Sequence, residues 1–330
     1  MLQKLINQKF MKSVENFFKT MRKVIYLVAV FLLSSQILCG QVVEGEKDLR
    51  KQTTAEEKGW NTGAVFSLNV SQTSLTNWAA GGQNSFGING LASLYANYGK
   101  GNISWDNSLD VGYGVLQQGA KTPFLKTDDR FDLLSKFGRK ASEKWYYAAL
   151  LNFKTQMTPG WDYKKDPKVK ISNLLAPAYV LGAVGADYKP NKYFSAFLSP
   201  VTGKMTIVND TTLSKQGAFG VKKGEVLKGE FGGYVRAAFT KNDFTQELLK
   251  NVSLTSKLDL FSNYLYRPQD VDVSWENIIA LQLNKYITVN LNTHLIYDAD
   301  ILFDTDNDGI PDKTKVQFKE ILGVGFMVKF

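Results

Sequence analysis

From Trp60 to Phe330 apolar and polar residues alternate with a period of two, and no segment carries a 3.6-residue apolar stripe longer than two turns. The last stretch is the clearest. Val316, Phe318, Leu322, Val324, Phe326, Val328 and Phe330 alternate with Gln317, Lys319, Ile321, Gly323, Gly325, Met327 and Lys329, and only Glu320 interrupts the apolar row. Ile287, Val289, Leu291, Leu295 and Tyr297 alternate in the same way with Thr288, Asn290, Asn292 and His294. So do Ile103, Trp105, Leu109, Val111, Tyr113 and Val115 with Ser104, Asp106, Ser108 and Asp110. Further stretches at about 60–75, 84–98, 129–139, 144–156, 179–188, 193–208, 230–240, 251–263 and 273–284 follow the rule, 193–208 least regularly, so twelve strands are predicted.

Connections alternate as well. Gly99–Asn102, Lys140–Glu143, Lys189–Lys192 and Asn284-Lys285 read as tight polar turns, whereas 117–128, 157–178, 209–229 and 299–315 read as long polar loops. A barrel with both termini in the periplasm, short turns on that side and long loops outside produces this rhythm and an even strand number. The segment 241–250 breaks it, being about ten residues where a short turn is expected.

A soluble barrel or a β-sandwich also alternates, with its apolar face inward. Strands of ten to fifteen residues suit a tilted crossing of a bilayer better than the usual length of about five or six. Twelve of them carry on the order of sixty large apolar side chains, too many for one soluble interior. Aromatics gather near predicted strand ends (Trp60, Tyr98, Trp145, Tyr179, Tyr188, Tyr193, Tyr264, Trp275, Tyr286 and Tyr297), where ring and polar tip match the boundary of acyl chain and headgroup. Closure leaves no unpaired edge in lipid. The pattern predicts an all-β, transmembrane antiparallel barrel of the outer membrane. Its expected partners are outer-membrane lipid and, through the terminal Phe330, the barrel assembly machinery.

The first forty residues differ. Met21-Arg22-Lys23, the uncharged apolar run Val24 to Leu33 and the mostly small or polar Ser34 to Gly40 have the layout of a secretory signal peptide, with cleavage expected near Gly40/Gln41 and Met21 a candidate start. The run is shorter than the roughly 20 residues of a spanning helix. Leu38 before Cys39 fits a lipoprotein anchor poorly. Residues 41–59 are charged, non-aromatic and aperiodic, a flexible leader to the barrel of 60–330. Removing 1–40 takes six basic side chains and one acid, so the formal charge falls from +9 to +4. No basic patch interleaved with aromatics remains, and nucleic-acid binding is unsupported. With 22% charged residues and a mean hydropathy of −0.20 the whole chain resembles a soluble protein in bulk, as expected when half of each strand faces a polar lumen.

The run Gln72-Thr73-Ser74-Leu75-Thr76-Asn77-Trp78-Ala79-Ala80-Gly81-Gly82-Gln83-Asn84-Ser85, the stretch Lys154-Thr155-Gln156-Met157-Thr158-Pro159-Gly160-Trp161 and the ending Gln317 to Phe330 resemble an uncharacterised family of Bacteroidota outer-membrane barrels, catalogued as a domain of unknown function. The resemblance covers nearly all of 60–330, and Asn-Trp-Ala-Ala-Gly-Gly is its most specific part. It implies fold and location but no activity and no catalytic residues.

One local motif points to a metal. Asp304, Asp306, Asp308 and Asp312 stand at relative positions 1, 3, 5 and 9, with Gly309 at 6 and the Ile310 carbonyl at 7, as in the front half of an EF-hand-type calcium loop. Position 12 holds Lys315 rather than Glu, so the spacing is closer to thrombospondin type 3 repeats. Ca2+ on an extracellular loop is the expectation; the alternative is a merely solvated acidic loop. Catalysis is not expected. The one histidine, His294, shares the polar face with Asn290 and Asn292, and Ser262 or Ser274 reaches it only in a suitable register. The glycine-rich Asn77–Gly82 lacks the Lys-Ser/Thr and helix of a phosphate loop. On the lumen face Asp106, Asp110, Asp132, Asp259 and Glu276 accompany Arg130, Lys136, Lys154, Arg236, Lys257 and Lys319, enough to line a hydrated pore or to form a salt-bridge plug. Three readings stay open: a narrow passive pore for small solutes, a closed structural or partner-binding barrel acting through its outer loops, and an outer-membrane hydrolase.

Overall fold

The computed structural model describes residues 59–329 apart from 77–81, 120–121, 164–166, 285–286 and 304–311. Twelve long strands run up and down in chain order: β1 Gly59–Thr73, β2 Ser85–Lys100, β3 Ile103–Gln118, β4 Leu125–Lys140, β5 Trp145–Thr155, β6 Ala178–Asn191, β7 Phe194–Ile207, β8 Leu227–Lys241, β9 Val252–Asn263, β10 Asp272–Gln282, β11 Ile287–Tyr297 and β12 Gln317–Lys329. Each pairs antiparallel with its sequence neighbours, and β12 returns to β1, so the sheet closes into a twelve-stranded barrel. The predicted strands are all present. Gly59, assigned to the leader, already belongs to β1.

The closing ladder is the short one. Among the described residues it holds five pairs, from Val65 opposite Lys329 to Asn69 opposite Gly325. By contrast, β1 and β2 pair from Gly59 opposite Gly99 to Thr73 opposite Ser85.

One end of the barrel carries the turns 101–102, 141–144 and 192–193, the other the long connections. The ten-residue connection 242–251 lies at the turn end, where Asp243 knots it to the wall: its carboxylate accepts hydrogen bonds from Lys192 Nζ at 2.7 Å, the Tyr193 hydroxyl at 2.6 Å and Lys241 Nζ at 3.1 Å. Burial alone would raise this carboxyl; the three donors outweigh it and hold it below the ordinary carboxylate range.

The irregular β7 has a physical cause. Pro200 has no N–H for the ladder, and pairing with β6 jumps from Val184 opposite Val201 to Ala186 opposite Leu198. The bulge brings backbones so close that a Cβ on Gly185 would lie 2.0 Å from the Leu198 carbonyl oxygen, so only glycine fits there.

Alternation sorts the side chains as expected. Along β5, Tyr146 is 3% exposed and Tyr147 71% exposed. The outer rows present Phe66, Leu133, Leu151, Val184, Val201 and Leu322. Trp60 packs on Tyr98 and Trp105, and Trp145 on Tyr188, near the turn end. Tyr179 departs from the predicted aromatic girdle: it stands opposite Lys154 and Thr206 on the inner face.

Candidate functional site

The inner rows fill the lumen in layers. Nearest the turn end, Lys136 bonds Asp187 at 2.7 Å and lies 3.9 Å from Asp106, while Lys189 bonds Asp106 at 2.9 Å and lies 3.6 Å from Asp187. In the middle, Arg130 of β4 is ion-paired with Glu276 of β10, and Asp110 of β3 with Lys257 of β9 at 3.1 Å. Strands β4 and β10, like β3 and β9, are six positions apart in a ring of twelve, so these pairs join opposite walls. Arg236 bonds Asp259 at 3.0 Å, and Lys154 bridges Asp132 at 3.7 Å and Asp259 at 3.6 Å. Toward the loop end, Lys204 bonds Asp272 at 2.6 Å, Lys319 bonds Asp128 at 2.7 Å, and Lys228 pairs with Asp300.

Opposite signs match within the two inner layers. Asp106 and Asp187 face Lys136 and Lys189; Asp110, Asp132, Asp259 and Glu276 face Arg130, Lys154, Arg236 and Lys257. Charges removed from bulk water persist only when paired, and the arrangement meets that demand. Beside them, Ala148, Leu150, Ala183, Phe197, Tyr234 and Phe261 form an apolar cluster on the inner face of β5 to β9, with Leu134 and Leu181 against it. A cavity of about 150 Å³ remains between Asp106, Asp110, Lys136, Arg236, Lys257, Thr240 and Thr255. It is polar and roomy enough to hold several waters.

All eleven charged residues assigned to the lumen from sequence are in these pairs. Lys189 was missed because it read as turn, whereas β6 continues to Asn191; Asp187 was missed although it lies inside the predicted strand with the inward parity of Tyr179 and Ala183. The register brings Ser274, not Ser262, to the histidine: Ser274 Oγ is 3.0 Å from His294 Nε2, while the Ser262 hydroxyl donates to the Pro268 carbonyl at 2.7 Å.

At the loop end two connections fold together. Asp210 caps the helix Thr211–Gln216, its carboxylate accepting from the Thr212 and Leu213 N–H groups at 3.0 and 3.2 Å. The same carboxylate accepts from Lys170 Nζ at 2.9 Å and Asn173 Nδ2 at 3.0 Å in the preceding connection. Burial pushes this carboxyl up, but these donors more than offset it and hold it at about 2. Beneath the helix Ala176, Val208, Leu213 and Val221 make a small core. In the calcium-loop motif, Asp304, Asp306, Asp308 and Ile310 lie outside the described residues. Asp312 is described: it is exposed, and its N–H donates to the Phe303 carbonyl at 3.0 Å at the base of a hairpin pairing Leu302–Phe303 with Lys313–Thr314. Among the described residues no three metal-ligating side chains gather.

The fold defines a class, closed up-and-down β-barrels with apolar outer rows and a filled lumen. Solved structures similar to it include the translocator domain of autotransporter NalP from Neisseria meningitidis, at 9% identity over 87% of this chain and 93% of that one with a TM-score of 0.37. Another is the COG4313 outer membrane channel from Pseudomonas putida F1, at 8% identity over 84% and 97% with a TM-score of 0.38. Residues 70–161, which include two of the three motifs carrying the family resemblance, match the family model described as protein of unknown function (DUF3078). No curated protein matches in sequence.

Proposed function

We propose that this chain is an integral outer-membrane barrel whose resting lumen is closed, and that it works through the folded platform at its loop end. Location is supported by the outer rows, where side chains such as Leu322 (68% exposed) and Val184 (61% exposed) would be poorly placed in water but well solvated by acyl chains. Closure rests on one observation, the ion pairs Arg130–Glu276 and Asp110–Lys257 that tie opposite walls. Recording from the refolded protein in a planar bilayer tests it, with a silent bilayer expected. Steady unit conductance from the unaltered protein would overturn closure and select the narrow passive pore, the reading favoured by the 150 Å³ cavity.

The aspartate-rich loop is proposed to take Ca2+ through Asp304, Asp306, Asp308, the Ile310 carbonyl and Asp312, on the strength of its spacing. Calorimetric titration of the barrel is expected to show heat that the Asp304→Ala, Asp306→Ala, Asp308→Ala variant lacks; equal traces would end the idea. A hydrolase is the third reading, motivated by the Ser274–His294 contact. Neither residue has a further hydrogen-bond partner among the described residues, although Glu276 stands opposite His294 in the ladder, and lipid hydrolysis unchanged by His294→Ala removes this reading.

A further inference from the structure

The outer rows are not uniformly apolar. On β9 to β12 each carries a polar residue flanked by apolar ones in mid-row: Ser256 between Leu254 and Leu258, Asn277 between Trp275 and Ile279, Thr293 between Leu291 and Leu295, and Glu320 between Phe318 and Leu322. The ladder aligns them. Ser256 stands opposite Asn277, Asn277 opposite Thr293, and Thr293 opposite Glu320. One continuous polar stripe therefore crosses four strands on the face that the proposed location turns toward lipid.

Part of its hydrogen-bonding capacity is used within the stripe. Trp275 Nε1 donates to Ser256 Oγ at 2.9 Å, and Asn277 Nδ2 to Thr293 Oγ1 at 3.3 Å. The Thr293 O–H, the second amide hydrogen of Asn277 and the Glu320 carboxylate are left over, and Glu320 forms no ion pair or hydrogen bond among the described residues. The opposite wall behaves differently. Its exterior polar residues Asn107 and Ser135 are consumed locally, Ser135 accepting from Trp105 Nε1 at 2.8 Å and donating to Asn107 Oδ1 at 2.7 Å, while Asn107 stitches an irregular stretch between β2 and β3.

Acyl chains offer no hydrogen-bond partner, and an isolated carboxylate on a lipid-facing wall is costly. An occupant that satisfies the stripe must bring both donors and acceptors. The stripe itself carries both, donors at Asn277 and Thr293 and an acceptor at Glu320, so it complements its own copy. A two-fold axis along the membrane normal makes such a contact isologous. We infer that the β9–β12 wall is the interface of a homodimer within the membrane, with two stripes crossing near Asn277 and Thr293. The inference rests on the proposed membrane location.

Cysteine scanning in native outer membranes tests it. The chain has one cysteine, Cys39, which a Cys39→Ser background removes. Under mild oxidation Thr293→Cys is expected to yield a species of doubled mass on a non-reducing gel, and Leu133→Cys on the opposite wall none. Adding Glu320→Leu and Asn277→Leu should cut the dimer about tenfold, the loss expected for one or two interfacial hydrogen bonds. Glu320→Leu should leave heat-modifiable gel migration intact, which separates a lost interface from a lost fold. No dimer at Thr293, equal dimer at Leu133, an adduct with a different protein, or dimer insensitive to the paired substitutions each overturns the homodimer. Absence of the unaltered chain from the membrane fraction overturns the location instead, a distinguishable failure.

Discussion

The two fillings of the lumen make a useful contrast. Along the inner face of β5 to β9, Leu150, Phe197, Tyr234 and Phe261 pack on one another, and each is held by neighbours on adjacent strands. Across the same space, Arg130 and Glu276, or Asp110 and Lys257, are held by partners on the opposite wall. Apolar packing is short-ranged and has many partners, so losing one side chain leaves a void of fixed size. An ion has few partners, so without Arg130 the Glu276 carboxylate keeps only Lys257 at 3.9 Å and must draw on water for the rest. On the proposed closed-lumen reading, the apolar side carries most of the stability and the ionic side governs whether the barrel conducts.

The largest effect expected from breaking this contrast is Phe197→Ala. Removing a ring that is 1% exposed should cost about 3–5 kcal/mol, read from urea unfolding followed by heat-modifiable migration, with the bilayer still silent. Arg130→Leu should come next at about 3 kcal/mol, with flickering conductance as Glu276 draws water into the lumen. Arg130→Leu combined with Glu276→Leu should return to within about 1 kcal/mol of the unaltered protein and to silence, since no unpaired carboxylate remains. A double variant as leaky as the single one would show that the ties do not gate the lumen.

A smaller effect is expected outside the barrel wall. Asp210→Ala removes a helix cap and the link to Lys170 and Asn173, for a cost of about 1–2 kcal/mol to the platform, detectable as faster proteolysis of the connections. Because the folded carboxyl sits at about 2, below its unfolded value of about 3.9, its contribution is full above roughly pH 4 and is lost as pH falls toward 2. Proteolytic resistance should drop over that window in the unaltered protein and stay flat in Asp210→Asn.

Strand number, direction and facing were legible because a period of two is a local property that each strand repeats. The alternation around His294 or Asp110 names the inward side without any knowledge of neighbours. Pairing across the lumen was not legible. It depends on which strands lie six apart and on their register, so Arg130 and Glu276 appeared as charges of uncertain role until closure set them face to face. Tyr179 was misplaced for a related reason. Its position near a strand end matched an aromatic rim, but its parity, shared with Leu181 and Ala183, sends it inward beside charged groups. The ten residues of 242–251 were anomalous in sequence and are explained by one carboxylate, Asp243, with three donors from outside or flanking that connection.

The brief closing ladder gives the ring a preferred place to tear. Pulled slowly from its C-terminal end, the barrel is expected to part first along the Val65–Asn69 hem, since fewer rungs must break there than between β1 and β2. The force trace would then show one low rip followed by hairpin-sized steps. In the reverse direction, the ring should be the last thing a folding chain completes.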